Sequence, residues 1–224
     1  MVKNMRFYNY LLLIICSILI ILKYIIHFNT PRFYKNIKKI KNPNDILVLV
    51  NKNNKLDYDF VPDNLELIST MYANEEKYLQ KPARIAFENL SKDAKMEGYS
   101  IIAVSTYRSY EYQVQLYNYY VDTKGLKYAD LCSARPGHSE HQTGLAVDVM
   151  GSNLDYDHFE ESIEFNWMRE NAHKYGFIMR YKKGSELITG FKYEPWHYRY
   201  VGLEAAKYIY ENDLTLEEYY KALK

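Results

Sequence analysis

The pattern of hydrophobic positions divides the chain into an apolar N-terminal stretch and a longer part where apolar and polar residues alternate. From about Tyr8 to Phe28 nearly every residue is apolar. At ~1.5 Å per residue, roughly twenty residues cover the ~30 Å hydrocarbon core of a bilayer. A helix packed into a soluble core would carry a polar face, and this stretch shows none over two turns. The pattern therefore predicts one N-terminal transmembrane helix within residues 1–28.

A cleaved signal peptide is the alternative interpretation of this stretch. No small-x-small cleavage site follows the apolar run, which favours an uncleaved anchor. Residues 29–44 are basic and polar and contain Pro31 and Pro43, so they are predicted to form a tether. Because basic residues are more numerous after the apolar run than before it, the positive-inside rule alone would place the C-terminal part inside the cell. Residues 45–224 would then form one domain.

Helix-like and strand-like patterns follow one another in this domain without regular βαβ spacing. Apolar residues recur at near-helical spacing over residues 82–97, and residues 101–104 form a short apolar strand pattern. Ser109 is placed to cap a helix over residues 110–121, and residues 122–137 are predicted to be a loop. Further strands are expected at residues 46–50, 145–150 and 177–181, and further helices at residues 163–175, 203–211 and 215–223. This order predicts an α+β domain with a small, mostly antiparallel sheet flanked by helices.

The charge balance and the cysteine content of the chain argue against certain functions and structural features. Lys and Arg total 29 against 28 for Asp and Glu, and a net charge of +1 argues against a general nucleic-acid binder. Cys16 lies in the apolar stretch and Cys132 in the domain, so no internal disulfide is expected. The 25 tyrosines suit clefts and wet surfaces, although a compositional bias toward Tyr, Asn, Lys and Ile explains them equally well.

Two clusters of histidine and acidic residues carry the candidate chemistry. His141 and Asp148 flank a short apolar segment, and Glu194 precedes His197 by three residues. Two imidazoles and one carboxylate form a catalytic zinc set when a fourth position stays open for water, and a further carboxylate could act as general base. These residues lack the His-Glu-x-x-His spacing, so a loop and two strands would have to bring them together. Spacing alone leaves His138 as an alternative ligand, and it also leaves open that these histidines are ordinary core or surface residues.

Three motifs in the chain resemble those of a known enzyme family. They are Ser139-x-His141-x-x-Gly144-x-Ala146-x-Asp148, Glu194-x-Trp196-His197, and Thr106-Tyr107-Arg108-Ser109 followed by Gln115 and Leu116-Tyr117. Together they resemble the motifs of the VanY-type zinc D-alanyl-D-alanine carboxypeptidases, a group related to lysostaphin-like peptidases and the hedgehog signalling domain. The resemblance covers roughly residues 47–210 and implies a hedgehog/DD-peptidase-like fold.

Carried over residue by residue, the resemblance implies a zinc peptidase site. His141, Asp148 and His197 would bind Zn²⁺ and Glu194 would be the catalytic base. Arg108 would polarise the scissile carbonyl and stabilise the oxyanion. Roles in substrate binding are implied for three further residues: Ser139, Gln115 and Trp196.

The implied substrate is the D-Ala-D-Ala end of a peptidoglycan stem peptide, which lies outside the membrane. We therefore expect a single-pass protein of the cell membrane whose catalytic domain faces outside, against the charge-only orientation, and we expect a monomer. The same motifs are compatible with two alternative functions. One is an L,D-carboxypeptidase acting on tetrapeptide stems, and the other is a non-catalytic zinc-containing module that binds the cell wall, against which the presence of Glu194 argues.

Overall fold

The computed structural model describes residues 14–19 and 33–223. The chain divides into two units, Met1–Arg32 and Phe33–Lys224. In the first unit, residues 14–19 are helical. Most of the predicted transmembrane span lies outside the described residues, and among those described no helix has the length and apolar character needed to cross a bilayer.

The folded unit begins within the segment predicted to be a tether. Strand β1, Lys38–Lys39, pairs in parallel with β2, Asn54–Lys55. Ile40 continues the pairing, since its backbone N–H donates to the carbonyl of Lys55 at 2.9 Å, and its side chain packs against the core. Residues 33–44 are therefore part of the domain.

Residues 46–50 are half-buried to buried, but the prediction of a strand there is wrong. The segment is irregular, although Val48 and Val50 are both buried. The carbonyls of Ile46 and Val48 accept hydrogen bonds from the guanidinium of Arg199, each at 2.8 Å. A buried side chain thus satisfies the carbonyl groups that a neighbouring strand would otherwise bind.

A short antiparallel pair leads into the first long helix. Strands β3, Leu65–Leu67, and β4, Tyr78–Gln80, pair with each other, and helix α1, Lys81–Met96, follows at once. The side chains of Phe87 and Leu90 on α1 are fully buried, as the helical periodicity predicts.

A four-stranded sheet forms the centre of the domain. Its strands are β5, Ile102–Ser105; β6, Ala146–Met150; β7, Phe177–Tyr181; and β8, Glu194–Tyr200. Their spatial order is β5-β6-β8-β7, and every neighbouring pair is antiparallel. The predicted α+β architecture with a small antiparallel sheet is confirmed.

Two helices fill the region between β5 and β6. Helix α2, Tyr110–Lys124, is capped by Ser109, whose hydroxyl accepts from the Tyr112 backbone N–H at 3.2 Å. Helix α3, Leu126–Cys132, lies in the region predicted to be a loop, so that prediction is wrong. Gly125, at φ +84°, is a one-residue junction between the two helices. The glycine that predicts a loop in the sequence therefore marks only this junction.

The remaining elements enclose the sheet. They are a 3₁₀ turn at Glu140–Thr143, a 3₁₀ turn at Phe159–Glu161, α4 at Ile163–Asn171 with a 3₁₀ extension at Ala172–Tyr175, α5 at Glu186–Thr189, α6 at Leu203–Glu211 and α7 at Leu216–Ala222. The side chain of Leu145, directly before β6, and those of Val147 and Val149 on it belong to the main hydrophobic core. Because side chains alternate along a strand, Asp148 lies on the opposite face, as the sequence predicts.

Candidate active site

Three predicted metal ligands come together although they lie far apart along the chain. His141 is on the 3₁₀ turn before β6, Asp148 is on β6 and His197 is on β8. One potential ligand atom from each side chain lies within 4.8 Å of the other two, and all three residues are buried. Nε2 of His141 is 3.4 Å from Asp148 Oδ2, and Nδ1 of His197 is 3.0 Å from Asp148 Oδ1.

Sheet register and one glycine produce this convergence. Asp148 and His197 are direct partners in the antiparallel pairing of β6 with β8, so their side chains share a face. Gly144 ends the turn that carries His141 in a left-handed conformation, at φ +64°. A Cβ atom at this position would lie 2.7 Å from Leu65 Cδ2 and 3.3 Å from the Gln80 backbone nitrogen, so the Leu65 side chain would have to shift, and the positive φ itself favours glycine.

Hydrogen bonds on the outer side of each imidazole direct the other nitrogen inward. Nδ1 of His141 lies 2.7 Å from the Thr106 carbonyl, to which it donates, leaving the Nε2 lone pair facing Asp148. Nε2 of His197 lies 3.4 Å from Glu140 Oε2, and its Nδ1 faces Asp148. Partners of this kind fix the tautomer and ring orientation of metal-binding histidines.

The donor set fits a zinc ion. Two imidazoles and one carboxylate are among the ligands that Zn²⁺ prefers. Asp148 Oδ1 is buried, and Nδ1 of His197 faces it at 3.0 Å, so a cation bound by the imidazole would also meet this oxygen. Burial raises the pKa of Asp148, whereas the charge and hydrogen bonds of His141 and His197, when these are protonated, hold it well below its usual range, so the carboxylate is charged. His138, the alternative ligand, instead has Nδ1 at 2.8 Å from the Asn51 carbonyl, outside the cluster.

Glu194 lies beside the cluster at the start of β8. Its Oε2 is 3.9 Å from Nδ1 of His197, and the residue is 8% exposed. Burial raises the pKa of Glu194 to about 7, although the neighbouring His197 lowers it. A carboxyl group that titrates near neutral pH can both accept and return a proton, which is what general acid–base catalysis requires.

Arg108 is fixed at the edge of the same cavity. Its Nη1 donates to Gln113 Oε1 at 2.8 Å, and its Nη2 donates to Ser105 Oγ at 3.0 Å. Gln113 is itself buried, with Nε2 donating to the Ala134 carbonyl at 2.7 Å. The guanidinium is thus held from its protein side, while Arg108 still lines the cavity.

The structure places Gln115, which is predicted to bind substrate, away from the cavity. Gln115 is exposed and does not line the cavity, whereas Gln113 is buried and contacts Arg108. Residues two positions apart on an α-helix point in directions ~200° apart, so only one of Gln113 and Gln115 can face inward. The register that follows from the Ser109 cap, with Tyr117 buried four residues after Gln113, places Gln113 rather than Gln115 on the inward face of the helix.

The cavity in front of the cluster has a volume of about 860 Å³. Ser139 and Trp196 line it as predicted, and Ser139 also accepts a hydrogen bond from the His141 backbone N–H at 3.3 Å. Aromatic residues form much of its wall: Tyr112, Tyr120, Tyr128, Tyr156 and Trp196. The rings of Tyr156 and Trp196 meet edge to face with centroids 5.3 Å apart. The space accommodates a ligand much larger than a single amino acid.

Sequence reasoning missed Glu140, which lies between two motif residues. It is 1% exposed, and its Oε1 accepts from Arg180 Nε at 2.8 Å and from Arg199 Nη1 at 2.9 Å. The arginines come from β7 and β8, 40 and 59 residues further along the chain. Local pattern therefore gave no signal for this cluster.

Known proteins resemble this chain over most of its length. The family model described as VanY, D-alanyl-D-alanine carboxypeptidase, matches residues 76–203. YodJ of Bacillus subtilis (strain 168) is 42% identical over 205 residues, which is 88% of this chain and 75% of that protein. The bifunctional D-Ala-D-Ala dipeptidase and carboxypeptidase VanXYC of Enterococcus gallinarum is 37% identical over 182 residues, 79% of this chain and 94% of that protein.

Solved structures resemble the domain at similar identity. The LdcB LD-carboxypeptidase matches with a TM-score of 0.78 and 43% identity, covering 84% of this chain and 91% of that one. A VanY D,D-pentapeptidase mutant in complex with Zn(II) matches with a TM-score of 0.67 and 36% identity, covering 77% and 97%. VanYB in complex with D-alanine-D-alanine matches with a TM-score of 0.68 and 35% identity, covering 80% and 98%. The chain therefore belongs to the VanY family of D-alanyl-D-alanine carboxypeptidases.

Proposed function

We propose that this protein is a zinc-dependent carboxypeptidase that removes the C-terminal D-alanine from peptidoglycan stem peptides ending in D-Ala-D-Ala. One observation carries the proposal. Three buried ligand atoms lie within 4.8 Å of one another, and Glu194 lies 3.9 Å from His197 beside them. Relatives solved with Zn(II) and with D-alanine-D-alanine support the choice of metal and of substrate.

Metal binding, proton transfer and oxyanion stabilisation are assigned to different residues of the site. When bound by His141, Asp148 and His197, Zn²⁺ supplies the Lewis acidity that activates water and the scissile carbonyl. Glu194 takes the proton from the attacking water and passes it to the leaving D-alanine nitrogen. Arg108, held by Gln113 and Ser105, places its positive charge where the oxyanion develops.

Other parts of the cavity orient the peptide. Ser139 presents a hydroxyl near the cluster, and Trp196 contributes an apolar wall with Tyr156. The volume of about 860 Å³ leaves room for the stem residues that precede the two alanines. This size favours a carboxypeptidase acting on a long stem over an enzyme limited to a free dipeptide.

An L,D-carboxypeptidase acting on tetrapeptide stems is the second candidate. The observation that favours it is the match to the LdcB LD-carboxypeptidase, whose TM-score of 0.78 exceeds the 0.67 and 0.68 of the two VanY structures. A wall-binding module without catalysis is a third candidate, and the buried carboxylate of Glu194 beside the cluster argues against it.

The choice among these candidates is tested with the full chain in detergent. We expect D-alanine release from a pentapeptide stem ending in D-Ala-D-Ala at a kcat/KM at least about tenfold above that for the tetrapeptide stem, a difference of ~1.4 kcal/mol. Activity should disappear with a chelator and return with added Zn²⁺. Preference for the tetrapeptide would establish the L,D activity, and no release by the zinc-loaded protein would favour the binding module.

We also propose that the protein is anchored in the cell membrane by residues 1–28, as a monomer whose domain faces outside. The apolar run from Tyr8 to Phe28 and the external location of the stem peptide support this orientation. A protease added to intact cells should remove a C-terminal tag. Full protection of the tag until the cells are lysed would contradict the outward orientation.

A further inference from the structure

Glu140 uses its two carboxylate oxygens for different partners. Oε1 accepts from Arg180 Nε at 2.8 Å and from Arg199 Nη1 at 2.9 Å. Oε2 is left to face Nε2 of His197 at 3.4 Å. The side chains of Glu140, Arg180 and Arg199 are all fully buried. Two immobile guanidinium groups therefore set the direction in which the second oxygen points.

This direction determines which nitrogen of His197 is available to a metal. Both ring nitrogens of His197 face a carboxylate: Nε2 faces Glu140, and Nδ1 lies 3.0 Å from Asp148 Oδ1. A cation bound by Asp148 would take the place of a proton on Nδ1, and Glu140, which only accepts hydrogen bonds, would hold the remaining hydrogen on Nε2. His141 obtains the complementary arrangement from the Thr106 carbonyl, which binds Nδ1 and leaves Nε2 free.

We propose that Glu140 is a positioning residue for the metal centre, holding His197 in the tautomer and orientation that present Nδ1 to the ion. This inference rests on the proposed function, in which His141, Asp148 and His197 bind Zn²⁺. Removing a hydrogen-bonding partner of this kind typically weakens metal affinity by about 10- to 100-fold.

Glu217, which binds the opposite side of Arg180 from Glu140, provides a matched control. Arg180 also donates to Glu217 through Nη1 at 2.8 Å and Nη2 at 2.7 Å. Glu217 also accepts from Asn51, and none of its described hydrogen bonds or ion pairs involves a predicted ligand. Glu140→Gln and Glu217→Gln therefore each remove one buried negative charge from Arg180, but only the first changes the group that faces His197.

The glutamine substitution has a specific consequence at position 140. Its amide oxygen remains with the arginines, so its NH₂ group faces Nε2 of His197. A donor at that point favours the opposite tautomer, with hydrogen on Nδ1 and no lone pair toward Asp148. The substitution therefore acts on the metal centre with almost no change in side-chain volume.

The test measures Zn²⁺ affinity by competition with a chromogenic chelator, using the full chain in detergent. We expect the Kd of Glu140→Gln to rise by about 10- to 100-fold and that of Glu217→Gln to stay within about threefold of the wild-type value. The visible absorption of the Co²⁺-substituted protein should change in Glu140→Gln alone. An unchanged Kd in Glu140→Gln, or an equal loss in both variants, would overturn the inference.

A folding defect in Glu140→Gln is handled by a second variant. Glu140→Asp keeps the negative charge beside Arg180 and Arg199, but its side chain is one methylene shorter, so a carboxylate held by the arginines is drawn away from Nε2 of His197. This variant should also lose Zn²⁺ affinity, and wild-type affinity in it would overturn the inference. If the wild-type chain itself bound no Zn²⁺, the proposed function would fail instead, so the two failures are distinguishable.

Discussion

At the scale of single residues, the chemistry depends on where burial places each charge. Glu194 is buried at the start of β8, and this burial raises its pKa to about 7. Asp148 is equally buried, but the histidines on both sides hold its pKa well below its usual range. Two carboxyl groups in one site are thus separated into a permanently charged ligand and a group that exchanges protons near neutral pH.

Replacing Glu194 by Gln tests its role as the base. The amide keeps the size of the side chain but cannot take a proton, so we expect kcat to fall by about 10²- to 10⁴-fold. Zn²⁺ content should stay at the wild-type level, because Glu194 is not one of the three ligands. D-alanine release and metal analysis on the same preparation check both points. Retained activity would remove Glu194 from the mechanism.

Two glutamines on α2 form a matched pair for testing the anchor of Arg108. Gln113→Ala removes the acceptor at 2.8 Å from Nη1, while Gln115→Ala changes an exposed side chain two residues away. A hydrogen bond to a charged group contributes about 1.5–3 kcal/mol, so kcat/KM should fall by about 10- to 100-fold for Gln113→Ala. Gln115→Ala should be neutral. A larger effect of Gln115→Ala would restore the original assignment.

How far the sequence predicts the site differs from residue to residue. His141, Asp148, Glu194 and His197 were predicted because their motifs are specific in combination, and the structure brings them together. The motif points to Gln115, but the helix register set by the Ser109 cap turns Gln113 inward to contact Arg108 and leaves Gln115 exposed. Nothing local marks the arginines that bind Glu140, since β7 and β8 bring them there only in the folded sheet.

At the scale of secondary-structure elements, the sequence predicts those helix ends that depend on neighbouring residues. Helices α1 and α2 begin where Pro82 and Ser109 indicate, because caps and periodicity act within one or two turns. The sequence does not predict helix α3, because Gly125 is typical of a loop, whereas in the structure it only separates two helices. Residues 46–50 were predicted as a strand from their apolar pattern, yet their carbonyls bind Arg199, which no local pattern shows.

The turn that carries His141 gives a prediction at this scale. Gly144→Ala forces a residue with a side chain into φ +64° and places a Cβ atom 2.7 Å from Leu65 Cδ2. Gly98→Ala is the control, since Gly98 has φ +91° but no atom within 4 Å of the added carbon. We expect about 1–2 kcal/mol of destabilisation for Gly98→Ala and a further ~1–3 kcal/mol for Gly144→Ala. Urea unfolding measures both, and equal losses would show that backbone conformation alone is responsible.

At the scale of the whole molecule, the segment that follows residue 32 is joined to the wall of the active site. Lys52 is buried, and its ammonium lies over the rings of Phe33, Tyr34 and Phe191. The same ammonium donates to the carbonyls of Asp130 and Gly190, so one lysine connects the N-terminal part of the unit to α3 and to the loop before β8. We therefore expect the part of the predicted tether from Phe33 onward to contribute to the stability of the domain.

Two truncated chains distinguish a tether from a structural segment. One begins at Phe33 and keeps the rings beside Lys52 and the pairing of β1 with β2, and the other begins at Asp45 and loses both. Partial burial of Phe33, Tyr34 and Ile40 and the backbone bonds of β1 would be lost, at a cost of ~2–4 kcal/mol. For a domain of this size we expect the shorter chain to melt about 5–15 °C lower in the same buffer. Equal melting temperatures would mean that residues 33–44 behave as the free tether that their composition predicts.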